Sequence, residues 1–188
     1  MAQGPRYRVM FRRRRKGKTD YTARLGMLRG NLPRFVVRST NSRILCQLVD
    51  YSKEGDKTTA SVGSDALKQY GWKAGGANTS AAYLTGLLLG KKSGAKKAIL
   101  DIGLSTSVKG AKVYAAAKGL QDAGVEIAIG DVVPDESRIS GTHVQEYAKS
   151  LPEEERKKRF SLYYKNSIDP TKLVDHFNAV KVKIEGAK

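Results

Sequence analysis

Cysteine is nearly absent. Cys46 is the single one among 188 residues, which excludes an intramolecular disulfide and suits a reducing, cytoplasmic setting. It lies inside the apolar run Ile44-Leu45-Cys46-Gln47-Leu48-Val49, the place of a small core residue. The two histidines, His143 and His176, are far apart in the chain and have no second cysteine to join them. A zinc site is therefore not expected, nor any other metal or cofactor. No apolar run has the length of a membrane-crossing helix, and none follows the N-terminal basic residues as a secretory signal requires. Acid is scarce as well. The chain carries 18 Asp and Glu against 35 Lys and Arg, a formal net charge of +17.

A net charge of about 2–8 keeps a small domain in solution, so this excess points to a polyanionic partner. Its position is more telling than its size. Residues 1–43 hold thirteen cations and one acid, Asp20, for a net of 13 − 1 = +12, which leaves 17 − 12 = +5 for the other 145 residues. Eleven of the thirteen are arginines. Arginine binds phosphate through two parallel hydrogen bonds and stacks its plane on bases; lysine does neither. Tyr7, Phe11 and Tyr21 interleave with these cations and offer stacking surfaces to unpaired bases.

A membrane-binding helix or a mitochondrial presequence would need an amphipathic pattern. The run Arg12-Arg13-Arg14-Arg15-Lys16 would instead put positive charge on every side of a helix. No helix-turn-helix, zinc finger or zipper can be read, so RNA is favoured over DNA, and an arm of this kind is expected to fold on binding.

The chain divides into a basic arm over 1–31, an α/β body over 32–130 and a helical C-terminal extension over 131–188. Asp20 can cap a short helix within the arm. After Pro33 the pattern becomes that of strands: Phe35-Val36-Val37, a turn at Thr40-Asn41-Ser42, then Ile44 to Val49, then Thr58 to Val62. Asn78 caps a helix with Ala81, Leu84, Leu87 and Leu88 on one stripe. Gly90 to Lys97 is expected to be a basic turn, followed by the strand Ala98-Ile99-Leu100. A second helix is expected from Lys109 to Ala123, with Gly124 behind it and a strand over Val125 to Ile129. The fold class is thus α/β, a mixed sheet in the order β-β-β-α-β-α-β with helices packed on it. Beyond Pro134, Ser150 and Glu153 have capping-box spacing, and Asp169-Pro170 begins a last helix through Leu173, Val174 and Phe177.

That element order is also found in ribonuclease-H-like nucleases, which gather carboxylates at strand ends around two metal ions. Asp50, Asp101 and Asp131 lie near strand ends, but Asn78 to Lys92 contains no acid to complete such a set. The stretch GKKSGAKK from Gly90 lacks the spacing and the strand-before-helix order of a phosphate loop. Neither histidine has a nucleophile in a triad context. No catalysis and no small-molecule substrate are expected.

Several blocks, in order, resemble the archaeal branch of the large-subunit ribosomal protein family called "protein eighteen", whose eukaryotic relatives are called "protein five". They are Arg6-Tyr7-Arg8-Val9, Phe11 to Arg15, Gly17 to Tyr21, Pro33-Arg34, Val37-Arg38, Tyr70 to Lys73, Asn78-Thr79, Ala81 to Gly86, Leu100 to Leu104, Lys109 to Ala111, and Pro134-Asp135 with Arg138-Ile139 and Gly141. The resemblance spans nearly the whole chain, and the length suits the archaeal branch. It implies a structural protein of the central protuberance that binds 5S rRNA, touches the 23S-type rRNA and meets neighbouring ribosomal proteins. Carried over residue by residue, it implies RNA contacts at Arg6, Arg8, Arg12, Arg13, Arg14, Arg15, Lys16, Lys18, Tyr21, Arg24, Arg34, Arg38, Asn41 and Arg43, with Lys109 as an addition. It further implies that the strand-end carboxylates serve the fold and its loops. A nuclease and a nonspecific nucleic-acid binder are the alternatives.

Overall fold

The computed structural model describes residues 4–186, so residues 1–3 of the expected arm and 187–188 of the expected extension lie outside it. The chain opens with α1 (Arg12–Arg15) and α2 (Tyr21–Leu28). Then come β1 (Arg34–Ser39), β2 (Ile44–Asp50) and β3 (Lys57–Gly63), followed by a 3-10 helix over Ser64–Tyr70. After these stand α3 (Thr79–Ser93), β4 (Lys97–Asp101), α4 (Lys112–Asp122) and the short β5 (Glu126–Ile127). The C-terminal part holds α5 (Glu136–Ser140), α6 (Thr142–Ser150), α7 (Glu153–Arg159) and α8 (Ser161–Lys165). A 3-10 turn over Pro170–Lys172 leads into α9 (Leu173–Glu185).

The five strands form one mixed sheet in the order β3-β2-β1-β4-β5, an α/β fold as expected. The pairs β1–β2 and β2–β3 are antiparallel, while β1–β4 and β4–β5 are parallel. Strand alternation gives the sheet two unlike faces. Phe35, Val37, Ile44, Cys46, Leu48 and Val62 point inward and are buried against α3 and α4. Burial also pushes the Cys46 thiol pKa far up, as a small core residue requires. Arg34, Val36 and Arg38 point to the other face, where register puts Ile99 and Asp101 beside Arg34 and Val36. The arm lies over this second face: a Cβ on Gly30 would come within 2.8 Å of Ile99 Cδ1.

Two helices without side chains at their crossing carry the inner layer. A Cβ on Gly86 would sit 1.9 Å from Ala116 O, and one on Gly119 would sit 2.1 Å from Tyr83 O. Backbone therefore meets backbone between α3 and α4, an approach only glycine permits. The same contact corrects the expected turn at Gly90. That residue lies inside α3, where its missing side chain leaves room for Ala123 Cβ, 2.3 Å from where a Cβ would be. The helix continues to Ser93 and closes at Gly94 with φ +60°.

Three further expectations shift. Helix α4 begins at Lys112 because Gly110, with φ +78°, turns the chain just before it. The last strand shrinks to two residues. Ser150 ends α6 and donates to Tyr147 O, so no capping box forms, and Pro152 precedes α7 without a side-chain cap. Asp20 and Asn78 do cap their helices, accepting from the backbone N–H groups of Thr22 and Ala23 and of Ala81 respectively. Asp169 accepts from the Thr171 N–H and caps only the 3-10 turn, so that α9 starts at Leu173 without a side-chain cap. The C-terminal helices share the main core, to which Ile139, Leu173, Phe177, Val180 and Ile184 belong.

Candidate nucleic-acid interface

The arm reaches the sheet in two short helices. Helix α1 is a single exposed turn made only of arginines, so successive guanidinium groups leave its axis about 100° apart and the charge faces all ways. Gly17, at φ +59°, reverses the chain, and the N–H of Lys18 donates to Arg13 O at 2.9 Å. The Arg13 Nε–H donates to Thr19 Oγ1 at 2.8 Å, which ties the turn to the start of α2. The rings of Phe11 and Tyr21 stand 5.4 Å apart at 50° and bring the start of α1 against the start of α2. Arg6, Arg8, Arg12, Arg14, Arg15, Lys16 and Lys18 are exposed, and among the described residues none of them is within ion-pair distance of a carboxylate.

Beneath α2 the arginines behave differently. Arg24 donates to both oxygens of Asp56, at 2.8 and 2.7 Å. Arg34 is 4% exposed and donates to Asp56 Oδ2 at 2.5 Å and to Asp101 Oδ2 at 2.8 Å. Arg38 donates to Asp101 Oδ1 at 3.0 Å and to the Asp101 carbonyl at 2.8 Å. The N–H of Gly103 completes the set on Asp101 Oδ1 at 2.9 Å, so this strand-end acid does hold a loop. Burial alone would raise the Asp56 carboxyl pKa, but the Arg24 hydrogen bond and the charges of Arg34 and Arg24 hold it below its ordinary value. Three arginines from α2 and β1 thus share two carboxylates, one on the β2–β3 loop and one at the end of β4.

This network floors a cavity of about 510 Å³ between arm and sheet. Arg13, Lys18, Tyr21, Arg24, Arg34 and Arg38 line it, so six of the residues singled out in the sequence come together there, with Asp20, Asp56 and Asp101 among them. Gly103 forms part of its edge, and a Cβ there would lie 2.8 Å from the Arg38 guanidinium carbon. Asn41, Arg43 and Lys109 stand outside the cavity on exposed loops. Arg43 faces Asp65 at 3.7 Å and Lys109 faces Asp131 at 3.3 Å. Sequence reasoning misses Asp56 as part of the site, because an acid in the loop sequence Ser52-Lys53-Glu54-Gly55-Asp56 carries no local mark of its partners.

The nuclease arrangement finds no support in this geometry. Arginines and a backbone N–H occupy both Asp101 oxygens. Among the described residues no group of three His, Cys, Asp or Glu side chains is placed to hold a metal ion.

Residues 5–96, from the arm to the residue before β4, match the family described as ribosomal large subunit proteins 60S L5 and 50S L18. The large ribosomal subunit protein uL18 of Methanothermobacter thermautotrophicus is 49% identical over 189 residues, 98% of each chain. The chain belongs to the uL18 family. The uL18 of Methanobrevibacter smithii is 49% identical over 192 residues, the whole of both chains. That of Ignicoccus hospitalis is 47% identical over 191 residues, covering 98% of this chain and 94% of its own. The uL18 likeness therefore extends past the family match, through β4, α4 and the C-terminal helices.

Proposed function

We propose that the protein binds 5S rRNA and fastens it to the large ribosomal subunit in the cytoplasm, within the central protuberance. In that position it also touches the 23S-type rRNA and neighbouring ribosomal proteins. The observation that carries this reading is the division of labour among the arginines. Those of Arg6 to Arg15 are exposed and free of carboxylates among the described residues, while Arg24, Arg34 and Arg38 are held by Asp56 and Asp101. Free guanidinium groups on a narrow arm neutralise phosphates and release counterions. Held ones fix the arm against a rigid sheet. Arg34, being buried, takes the second role and not the first. Phosphate contacts set position, and exposed rings such as Phe11 give selectivity for unpaired bases. Nothing in the scheme requires turnover; the function is binding and placement.

The test compares 5S rRNA with a tRNA across a salt series, for the natural chain and for a full-length variant with Arg12, Arg14 and Arg15 replaced by glutamine. The natural chain should prefer 5S rRNA by about tenfold or more. The variant should bind more weakly, with a salt slope flatter by about one for each phosphate that is no longer neutralised. Equal binding of both RNAs would make it a nonspecific binder, and an unchanged slope would move recognition from the arm to the body.

A further inference from the structure

An acidic side chain on a phosphate-binding face works against binding by simple charge, yet Asp56 stands at the centre of this one. Its carboxylate is the link between arm and body. Helix α2 has eight residues, of which Tyr21, Arg24, Met27 and Leu28 are half-buried and none is fully buried, so its short length and thin packing hold it only weakly. What lies beneath it is a cavity rather than a packed layer. The polar tie across that space is the two-bond contact from Arg24 to Asp56. Asp56 is itself fixed from below by Arg34, which Asp101 anchors within the sheet.

We propose that Asp56 is a positioning residue for RNA recognition: it docks α2 on the sheet before RNA arrives and so sets the direction in which Arg12 to Lys16 leave the body. The ion-pair chain transmits that direction. From Asp56 it passes through Arg24 to α2, whose N-terminal cap Asp20 follows Thr19, the acceptor of the Arg13 Nε–H. An arm released from Asp56 keeps every free cation and loses only its orientation. It then binds any polyanion as well as before, and a particular RNA shape less well.

Charge and position predict opposite results for Asp56→Ala, taking 5S rRNA as the partner proposed above. Loss of a negative charge alone would tighten binding to both 5S rRNA and tRNA. Loss of positioning lowers 5S rRNA affinity by about tenfold, as expected if docking falls to about a tenth of molecules, and leaves tRNA binding equal or tighter. Asp56→Glu, which keeps the carboxylate, should recover part of the preference. Because Asp56 also faces the buried Arg34, amide hydrogen exchange on the free variant provides a second readout. Exchange should quicken over Tyr21–Leu28 while α3 and α4 stay protected. Tighter binding to both RNAs, or unchanged exchange in α2, would overturn the proposal. If the natural chain itself does not prefer 5S rRNA, the functional reading fails, and the exchange result alone decides whether Asp56 docks the arm.

Discussion

Arg34 and Asp101, 67 residues apart in the chain, form a buried ion pair across β1 and β4, with Nη1 2.8 Å from Oδ2 and both side chains about 95% shielded from solvent. A pair buried this deeply contributes little net stability while intact, because desolvation offsets much of the attraction. Breaking it is another matter.

Asp101→Ala should therefore destabilise the protein by about 3–5 kcal/mol, since Arg34 keeps its charge without its deepest partner and Arg38 and Gly103 each lose an acceptor. Urea unfolding measures it. The double variant Arg34→Met with Asp101→Leu should cost clearly less than the two single changes added together. Additive costs would mean that the two side chains stabilise the sheet independently.

The crossing of α3 and α4 gives a second prediction, with its own control. Gly86→Ala forces a methyl group into the Ala116 carbonyl, a backbone atom that cannot swing away, so a loss of about 3 kcal/mol or a failure to fold is expected. Gly26→Ala places the same methyl in open space within α2, at a φ that L residues accept. It should steady that helix by about 0.5–1 kcal/mol and slow its amide exchange. The two substitutions are identical on paper and opposite in sign.

That contrast explains how much of the molecule is legible in its sequence. Asp20 and Asn78 announce their helices, and Asp169 the 3-10 turn before α9, because a cap is a contact over two or three residues. The α/β order follows from strand and helix periods, which are also local. Gly90 reads as a turn because the reason for it, Ala123 packed against α3, is not near it in the chain. Ser150 and Glu153 carry the capping-box letters, but Pro152 displaces the start of the helix they would open. The cations of the site are visible as composition. Their division into free and held groups is not, because Asp56 lies 32 residues from Arg24 and Asp101 lies 63 from Arg38.

His176 should make stability depend on pH. Its ring stacks on Trp72 at 5.2 Å, and its Nε2 accepts the N–H of Lys73 at 3.3 Å, which requires a neutral ring. Burial lowers its pKa below 6.5, and the charges of Lys73 and Lys183 lower it further. Asp169, Lys172 and Asp175 line the same hollow. A histidine depressed in the folded state takes up its proton more readily when unfolded. Its contribution is thus complete above pH 6.5 and is lost as pH falls from there towards the folded value. Unfolding midpoints measured between about pH 7.5 and 5 should fall for the natural chain and stay flatter for His176→Asn. Parallel curves would assign the slope to other groups.

Phe11 tests the selectivity of the arm. The ring is 72% exposed and touches Tyr21 along one side, so the folded body gains little from it. Phe11→Ala should leave the unfolding midpoint within experimental error, because surface changes of this kind are worth about half a kcal/mol or less. An exposed ring at the start of α1, beside Tyr21, is nonetheless well placed to stack on an unpaired base, an interaction worth about 1–3 kcal/mol. Affinity for 5S rRNA should fall accordingly, by about tenfold, with the salt slope unchanged because every cation remains. Phe11→Trp should preserve binding, since stacking requires a flat ring and not this particular one. A drop in the salt slope would mean that Phe11 orders the neighbouring arginines, and equal affinity for the alanine variant would leave base recognition to Tyr7 or Tyr21.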